Sequence, residues 1–486
     1  MQQFFAILKD SFREAVDGFV IYVMLALALF MVVVVGSITF TPDEPEKALP
    51  GVLSRFYVVF PNKGKSAAPT GVPPKYLEYA VSKAVLGGDG VVRFTLDAKG
   101  KSEDKDKDGA KGDGPPPVRG GGENPFAQTD AFRYSVLAWA KPPGEKIKNP
   151  FGEDRRRKRD ERTLELVMPP EATPADLKAV TDEEMIGFLK TQFALFVGVP
   201  ESGVAVTRRT EGVAEPNYRF DIELTGATTA RGWPQTLRVF FNQASLGGGW
   251  KLGETVYLLQ DYLVGWIGGT ATLVISVIIT AFFIPNMLRK GSVDLLISKP
   301  LGRSQLLVYK YIGGLTFIFL ITSFTVGLVW VVLSARAGYW DPTFLIMIPS
   351  LTFSFAILYA ISTLSAVLTR SAIASILITV AFMFLLFVVG KAKEFFDLNK
   401  AFQIMQLPDW AYTVVDGLHA VLPRYKDLDR LTGKLLVETN MPDGDARLNG
   451  IGIVEYPSWG GAVGVSLAFI AAMLSLACWK FNKRDG

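Results

Sequence analysis

The amino-acid sequence predicts a membrane α-helical protein with six transmembrane helices and a mixed α/β extracytoplasmic domain inserted between the first and second spans. One observation is the distribution of charge: the 486 residues include 51 Lys and Arg and 47 Asp and Glu, and none of these lies in six windows of 20 to 28 residues. A helix needs roughly 20 residues to cross the hydrocarbon. The other is a stretch of 219 residues between the first two windows, which is long enough for a folded domain.

Composition excludes several classes of function. The net charge of +4 argues against a nucleic-acid-binding protein. Cys478 is the only cysteine and His419 the only histidine, so no intrachain disulfide and no thiolate metal site can form. The Gly-Lys-Ser sequences at 64–66 and 100–102 lack the first glycine of a phosphate loop. We therefore predict no catalytic residue, no metal and no cofactor in this chain.

The first window is preceded by an amphipathic stretch. Phe4, Leu8 and Phe12 share one helix face, which predicts an interfacial helix over residues 1–17 followed by the first span at 18–42. A cleavable signal peptide is the alternative, but its apolar region would be shorter and would end at small residues. We expect an uncleaved signal anchor.

Residues 43–261 form the predicted extracytoplasmic domain. Residues 97–125 are rich in Gly, Pro, Lys and Asp and too poor in apolar residues to bury a core, which predicts a disordered insertion. Periodicity predicts secondary structure for the rest. The predicted helices cover 74–86, 174–180 and 182–197, and the predicted strands 91–96, 132–140, 163–168, 203–209, 218–224 and 237–242.

The remaining spans follow the uncharged windows, with Pro285 limiting the second. Lys and Arg mark cytoplasmic loops, and they are concentrated between the second and third spans and in the tail. We therefore expect a protein of the bacterial plasma membrane with both termini on the cytoplasmic side. The predicted ranges are 262–285, 306–335, 342–369, 371–390 and 456–479 for the spans, 391–455 for an extracytoplasmic loop with helices, and 480–486 for a cytoplasmic tail.

Residues 286–305, termed here the coupling segment, contain a short predicted helix and a turn. Asn286 can cap the helix, and Pro300 lies in the turn before Arg303 opens the third span. One interpretation is a basic interfacial helix that anchors topology. The other is a coupling helix, which binds a cytoplasmic partner and transmits its movement to the spans.

The coupling segment resembles the same region in type-2 permease subunits of ATP-binding-cassette (ABC) exporters. That family has a basic residue and Gly-Thr before a Leu pair, then a Ser-x-Pro turn, an Arg and a Lys; Ser292 replaces the Thr here, and Asn286-Met287 stand where an acidic residue is common. The resemblance covers residues 1–40 and 261–486. The matching residues are Arg289, Gly291, Leu295, Leu296, Ser298, Pro300, Arg303 and Lys310.

The resemblance implies a permease that works as a homodimer or heterodimer in membrane lipid. Each copy would bind a cytoplasmic ABC ATPase subunit, and ATP would bind to that partner. The residues that would couple the two subunits are Asn286, Leu288, Arg289, Lys290, Gly291, Asp294, Leu295, Leu296, Ser298, Lys299, Pro300 and Arg303.

Two other classes stay open at this point. An ion-driven carrier usually has ionisable groups at mid-membrane, and the six windows contain none. A membrane-anchored receptor or mechanotransmission protein, whose extracytoplasmic domain binds a partner, fits every residue. Hydroxyl-bearing residues in the spans, Ser276, Thr280, Ser354 and Ser362, are compatible with a lipid, a peptide or a hydrophobic drug as substrate.

Overall fold

A computed structural model describes residues 20–53, 56, 77–99, 139–140, 146–147, 155–156, 164–165, 177, 180–210, 213, 217–262, 269–287, 302–402, 407–441 and 457–483. The chain divides into two compact units. A helical unit comprises Met1–Ile38, Val256–Leu436 and Val454–Gly486, and an α/β unit comprises Thr39–Thr255 and Val437–Ile453. The predicted interfacial helix at 1–17 lies outside the described residues.

The described helices and strands are numbered in chain order. The α-helices are α1 Val20–Gly36, α2 Pro45–Leu53, α3 Asp182–Val197, α4 Leu252–Leu259, α5 Gly269–Thr280, α6 Phe283–Met287, α7 Arg303–Ala337, α8 Met347–Thr369, α9 Ala372–Phe402, α10 Asp409–Val421, α11 Tyr425–Asn440 and α12 Trp459–Lys483. The strands are β1 Thr39–Pro42, β2 Glu78–Leu86, β3 Val91–Lys99, β4 Trp139–Ala140, β5 Lys146–Ile147, β6 Arg155–Arg156, β7 Leu164–Glu165, β8 Val204–Arg208, β9 Tyr218–Thr225, β10 Pro234–Val239, β11 Ala244–Ser245 and β12 Trp250–Lys251.

The α/β unit contains a four-stranded antiparallel sheet in the order β2-β3-β9-β8. Helix α3 belongs to the same hydrophobic core, where Phe193 lies against Phe56 and Phe94 with ring centroids 4.8 and 5.8 Å apart. Thr181 and Glu184 cap the start of α3 reciprocally. The predicted helix at 182–197 and the predicted strands at 91–96, 203–209 and 218–224 are confirmed.

A second sheet pairs β10 with β1 on one side and with β11 and β12 on the other. The predicted strand at 237–242 is shifted toward the N-terminus, because residues 240–242 take positive φ and turn the chain. Strands β4 and β7 contain two residues each of the strands predicted at 132–140 and 163–168. The rest of those strands, and most of the predicted helix at 174–180, lie outside the described residues.

The predicted helix at 74–86 is wrong, because this segment contains strand β2. Leu77, Val81 and Ala84 face the core at a spacing that resembles a helix face. A β-bulge between Ser82 and Val85 produces that spacing, since it adds a residue to the two-residue alternation of a strand. Strand β3 continues to Lys99, so the predicted insertion begins after that residue and not at Asp97; its remainder, 100–125, lies outside the described residues.

In the helical unit, four described helices are long and apolar enough to cross a membrane: Arg303–Ala337, Pro342–Thr369, Ala372–Asp397 and Trp459–Lys483. These helices coincide with the predicted third to sixth spans. The predicted first and second spans contain shorter apolar helices, Ile21–Gly36 and Ala271–Pro285, so the structure does not confirm all six spans. Helix α8 is central and contacts α5, α7, α9 and α12.

The second predicted span is interrupted. Helix α5 ends at Thr280, Ala281 and Phe282 turn, and α6 begins at Phe283. The cause is Pro285: in a continuous helix its ring would clash with the carbonyl of the residue four positions earlier, Ala281. Pro285 is instead the third residue of α6, and no residue of this helix lies four positions before it, so the clash does not arise.

The predicted loop 391–455 begins inside a helix, because α9 runs twelve residues past the predicted end of the fifth span at 390. Helices α10 and α11 then form a hairpin that packs back along α9. Tyr412 and Phe396 lie 4.9 Å apart, whereas Lys426, after the turn, lies over the ring of Phe387 at 5.5 Å. Helix α10 therefore runs antiparallel to α9, and α11 runs in the opposite direction to α10.

Candidate functional site

The coupling segment joins α6 to α7, and the structure describes its two ends. Met287 closes α6 and Arg303 opens α7, three residues before the predicted start of the third span at 306. Asn286 lies in the last turn of α6. The other predicted coupling residues lie outside the described part of the chain: Leu288, Arg289, Lys290, Gly291, Asp294, Leu295, Leu296, Ser298, Lys299 and Pro300.

Both ends of the coupling segment are held by one group of buried apolar side chains, the anchor cluster. Ile284 and Met287 come from α6, and Leu306 and Leu307 from the first turns of α7. Each is at most 5% exposed. The remaining buried members come from the ends of α8 and α12: Ala366, Val367, Ala477 and Phe481.

Polar contacts reinforce the anchor cluster. The Asn482 side-chain amide donates to Ser304 Oγ at 2.7 Å, which ties the end of α12 to the start of α7. The Gly302 N–H donates to Gln305 Oε1 at 3.3 Å and so closes the first turn of α7. The buried ammonium group of Lys310, which the family resemblance singled out, lies 5.6 Å from the ring centre of Phe283. A displacement of the coupling segment would therefore act on α6, α7, α8 and α12 together.

The interior of the bundle contains buried hydroxyl groups. Ser276, Thr280, Ser354 and Ser362, the hydroxyl-bearing residues of the predicted spans, are at most 1% exposed. Ser362 and Ser365, both on α8, lie 3.0 and 2.9 Å from the Ser375 hydroxyl of α9.

Two of these hydroxyls have no hydrogen-bond partner within the described residues. Both Ser276 Oγ and Ser354 Oγ are buried and unpaired. An unpaired buried hydroxyl is costly. These two groups are therefore available to a polar ligand or to a rearranged bundle.

Aromatic rings fix the approach of α7 to α8. Tyr311 stacks on Tyr359 at 5.0 Å and donates its hydroxyl to the Ala356 carbonyl at 2.8 Å. Gly314 lies against the Tyr359 ring, and a Cβ at that position would come within 2.6 Å of it. Sequence reasoning missed this contact, because a Gly-Gly pair in an apolar window does not show which glycine faces a neighbouring helix.

Charged groups are concentrated where the α10–α11 hairpin packs against the end of α9. Lys393 Nζ bonds Asp397 at 2.7 Å and Asp416 at 2.8 Å, and so joins α9 to α10. His419 Nε2 lies 3.1 Å from Asp427, which joins α10 to α11. Burial raises the pKa of the Asp261 carboxyl group, and the Asp429 carboxylate raises this pKa further. Lys426 and Lys391 act in the opposite direction and lower it.

The described residues contain no cluster of possible metal ligands. No group of three or more His, Cys, Asp or Glu side chains among them is placed to hold a metal ion. The clustered carboxylates of the hairpin are instead paired with lysine and histidine.

Four described helices that are long and apolar enough to cross a membrane, with α8 at the centre of their packing, define the class as an α-helical membrane protein. Residues 273–486 match the family model described as ABC-2 family transporter protein. The resemblance to type-2 permeases is confirmed over that range, which excludes residues 1–40. Comparison with curated proteins and with solved structures gave no match.

Proposed function

We propose that this protein is the permease subunit of an ABC-type exporter that couples ATP hydrolysis by a separate cytoplasmic subunit to movement of a substrate across the membrane. The family match supports a permease, since members of this family are membrane transport components that normally work with an ATPase subunit. Dimerisation, outward transport and the role of the coupling segment are parts of the proposal.

The anchor cluster is the observation that carries the coupling role. The helices on either side of the segment, α6 and α7, contribute side chains to one core that they share with the ends of α8 and α12. Packed interiors transmit displacement because they are nearly incompressible. A force applied by an ATPase to the segment would therefore reach four helices, as alternating access requires.

The test separates binding of the ATPase from transmission of its movement. Leu295→Asp with Leu296→Asp should release the ATPase, because two docked leucines contribute about 1.5–3 kcal/mol each, which corresponds to at least a hundredfold in affinity. Leu307→Ala should leave recovery of the ATPase unchanged but reduce the stimulation of ATP hydrolysis, because it loosens the anchor cluster and not the docking surface. The measurement is recovery of the ATPase that co-purifies with the wild-type protein, and its hydrolysis rate, at equal membrane levels.

Matched controls follow from the structure. Val85→Asp with Leu86→Asp makes the same change at two exposed positions of the α/β unit. Leu333→Ala removes a buried leucine of α7 that lies far along the helix from Leu307. ATPase recovery unchanged in the 295/296 variant would reduce the coupling segment to an interfacial helix, and equal effects of the two alanine variants would remove the case for transmission.

A further inference from the structure

The turn between β10 and β11 presents two adjacent aromatic side chains to the outside of the α/β unit. Phe240 is 69% exposed and Phe241 62%. The Gln243 N–H donates to the Phe240 carbonyl at 3.2 Å and closes the turn. Neither ring contributes to the core of the unit, so the fold alone does not explain them.

The backbone of this turn makes the choice of phenylalanine more unusual. Phe240, Phe241 and Asn242 have φ values of 53°, 53° and 78°. Asparagine is common in this left-handed region, but a bulky side chain there is strained, and glycine would be free of strain. The sequence therefore keeps two aromatic rings at positions where they destabilise the turn and where the unit does not bury them. Strain and exposure at one place indicate a contact with something apolar.

Strand register shows where the turn lies along the chain. Arg238 pairs with Thr39, the first residue of β1, and the antiparallel β10 continues past that pair into the turn. Thr39 follows Gly36, the last residue of α1, by three positions, so at most about 11 Å of chain separates them. The turn therefore lies at the end of the sheet at which β1 begins.

Helix α1 is apolar throughout and bears large exposed side chains. Leu29 is 64% exposed and Phe30 62%. A helix of this composition, predicted as the first span, presents such side chains to lipid.

We propose that Phe240 and Phe241 insert into the lipid bilayer at its outer interface, beside the first span, and that Arg238, which is exposed, lies at the level of the lipid phosphates. Aromatic rings are favoured at that boundary. The inference rests on the proposed function only in that α1 is taken as a membrane span.

Site-directed fluorescence on the full-length protein tests the insertion. Cys478→Ala provides a cysteine-free background, since the chain has no other cysteine. Phe241→Cys, Val85→Cys and Leu29→Cys are each labelled with a polarity-sensitive dye and reconstituted in two sets of nanodiscs. One set contains a lipid spin-labelled near the headgroup, which reports on positions 241 and 85, and the other contains a lipid spin-labelled deep in the acyl chain, which reports on position 29 at the middle of the predicted first span. Because interfacial insertion reaches about 5–10 Å below the headgroups, we expect the label at 241 to be quenched about threefold more than that at 85, which is 60% exposed on the other sheet.

The three labels distinguish failure of this inference from failure of the span assignment. Quenching at 29 without quenching at 241 would overturn the insertion and leave the span intact. No quenching at 29 would show that α1 is outside the bilayer and would remove both. A label at 241 that is shielded from aqueous iodide but not quenched by lipid would assign the turn to a protein contact, against the proposal.

A second variant separates membrane contact from folding. Phe240→Gly with Phe241→Gly should leave the unfolding temperature unchanged or higher, because glycine relieves the left-handed strain. In the same variant, a label at Gln243→Cys should lose the lipid quenching that it shows beside the two rings. A lower unfolding temperature with unchanged quenching would show that the rings serve the fold and would overturn the proposal.

Discussion

Gly314 on α7 illustrates how one residue sets the packing of the bundle. Replacing it with alanine places a Cβ within 2.6 Å of Tyr359 Cε1 and 2.8 Å of its hydroxyl oxygen. Tyr359 is fully buried and stacked between Phe355 and Tyr311, so the ring cannot move aside cheaply. We expect Gly314→Ala to cost about 1–3 kcal/mol through overpacking and to lower the unfolding temperature measured in detergent.

The same helix offers a control for that substitution. A Cβ added at Gly327, also on α7, would meet no described atom of a neighbouring element within 4 Å. There, alanine removes only the backbone freedom of glycine, so Gly327→Ala should be neutral or stabilise by up to about 1 kcal/mol. Equal shifts in the two variants would mean that the contact with Tyr359 does not limit the approach of α7 to α8.

At the residue scale, the sequence predicted chemistry better than contacts. The sequence showed hydroxyl residues within uncharged windows, and in the structure Ser276, Ser354 and Ser362 are buried. Their pairing was not predictable, because the hydrogen bonds between Ser375 and Ser362 or Ser365 depend on the rotation of α9 against α8. Apolar residues surround these positions on all sides in the sequence, so no helical periodicity indicates which face is turned inward.

At the scale of single elements, the ion network of Lys393 holds α10 against α9. Its side chain is 20% exposed and bonds the carboxylates of Asp397 and Asp416. Lys393→Met would leave two carboxylates without this cation, at a cost between that of a surface pair and that of a buried one, about 1–3 kcal/mol. Hydrogen exchange of the α10 amides should then accelerate about five- to a hundredfold.

A neighbouring lysine supplies the comparison. Lys391 bonds Glu394 at 2.7 Å within the same helix, but its side chain is 53% exposed. An exposed pair contributes little, so Lys391→Met should change exchange of α10 less than about fivefold. If the two variants were indistinguishable, the hairpin would be held by its apolar contacts, such as Tyr412 on Phe396, and not by the ion network.

Elements were predictable where one physical signal acted alone. Periodicity indicated α3, and uninterrupted apolar windows indicated α7, α8, α9 and α12. Prediction failed where tertiary structure altered the local pattern. The bulge in β2 gives its core-facing residues a spacing like that of a helix. In α9, Lys391 pairs with Glu394 and Lys393 with Asp397, and these pairs stabilise the helix through a region that was predicted as a loop because it is charged.

At the scale of the whole molecule, the family is recognisable in the sequence through eight matching positions in and beside the coupling segment. Most of those positions lie outside the described residues. The structure adds the anchor cluster, which holds the helices on either side of the coupling segment and consists of ordinary apolar residues from four helices. Sequence spacing could not have assembled that cluster, because Met287 and Phe481 are almost two hundred positions apart.

The orientation of the chain in the membrane is the remaining whole-molecule prediction. Lys and Arg are concentrated between α6 and α7 and at the end of α12, which predicts a cytoplasmic location for both places and, with six spans, an outward location for the α/β unit. In a Cys478→Ala background, Val85→Cys should react with a membrane-impermeant thiol reagent on intact spheroplasts. Ser292→Cys and Lys483→Cys should react only after permeabilisation.

The pattern of labelling distinguishes the ways in which this topology could be wrong. Reaction at 483 and not at 85 on intact cells would invert the whole protein. Reaction at both 85 and 483 on intact cells would mean that an even number of spans, not an odd one, separates the α/β unit from the C-terminus, as would follow if the broken helix pair α5–α6 did not cross the membrane. Reaction at 292 from outside would place the coupling segment where no cytoplasmic ATPase can reach it, because such a partner needs the segment on its own side of the membrane. The predicted pattern, with 85 alone accessible, is the one in which α5–α6 crosses the bilayer in spite of its interruption at Ala281 and Phe282.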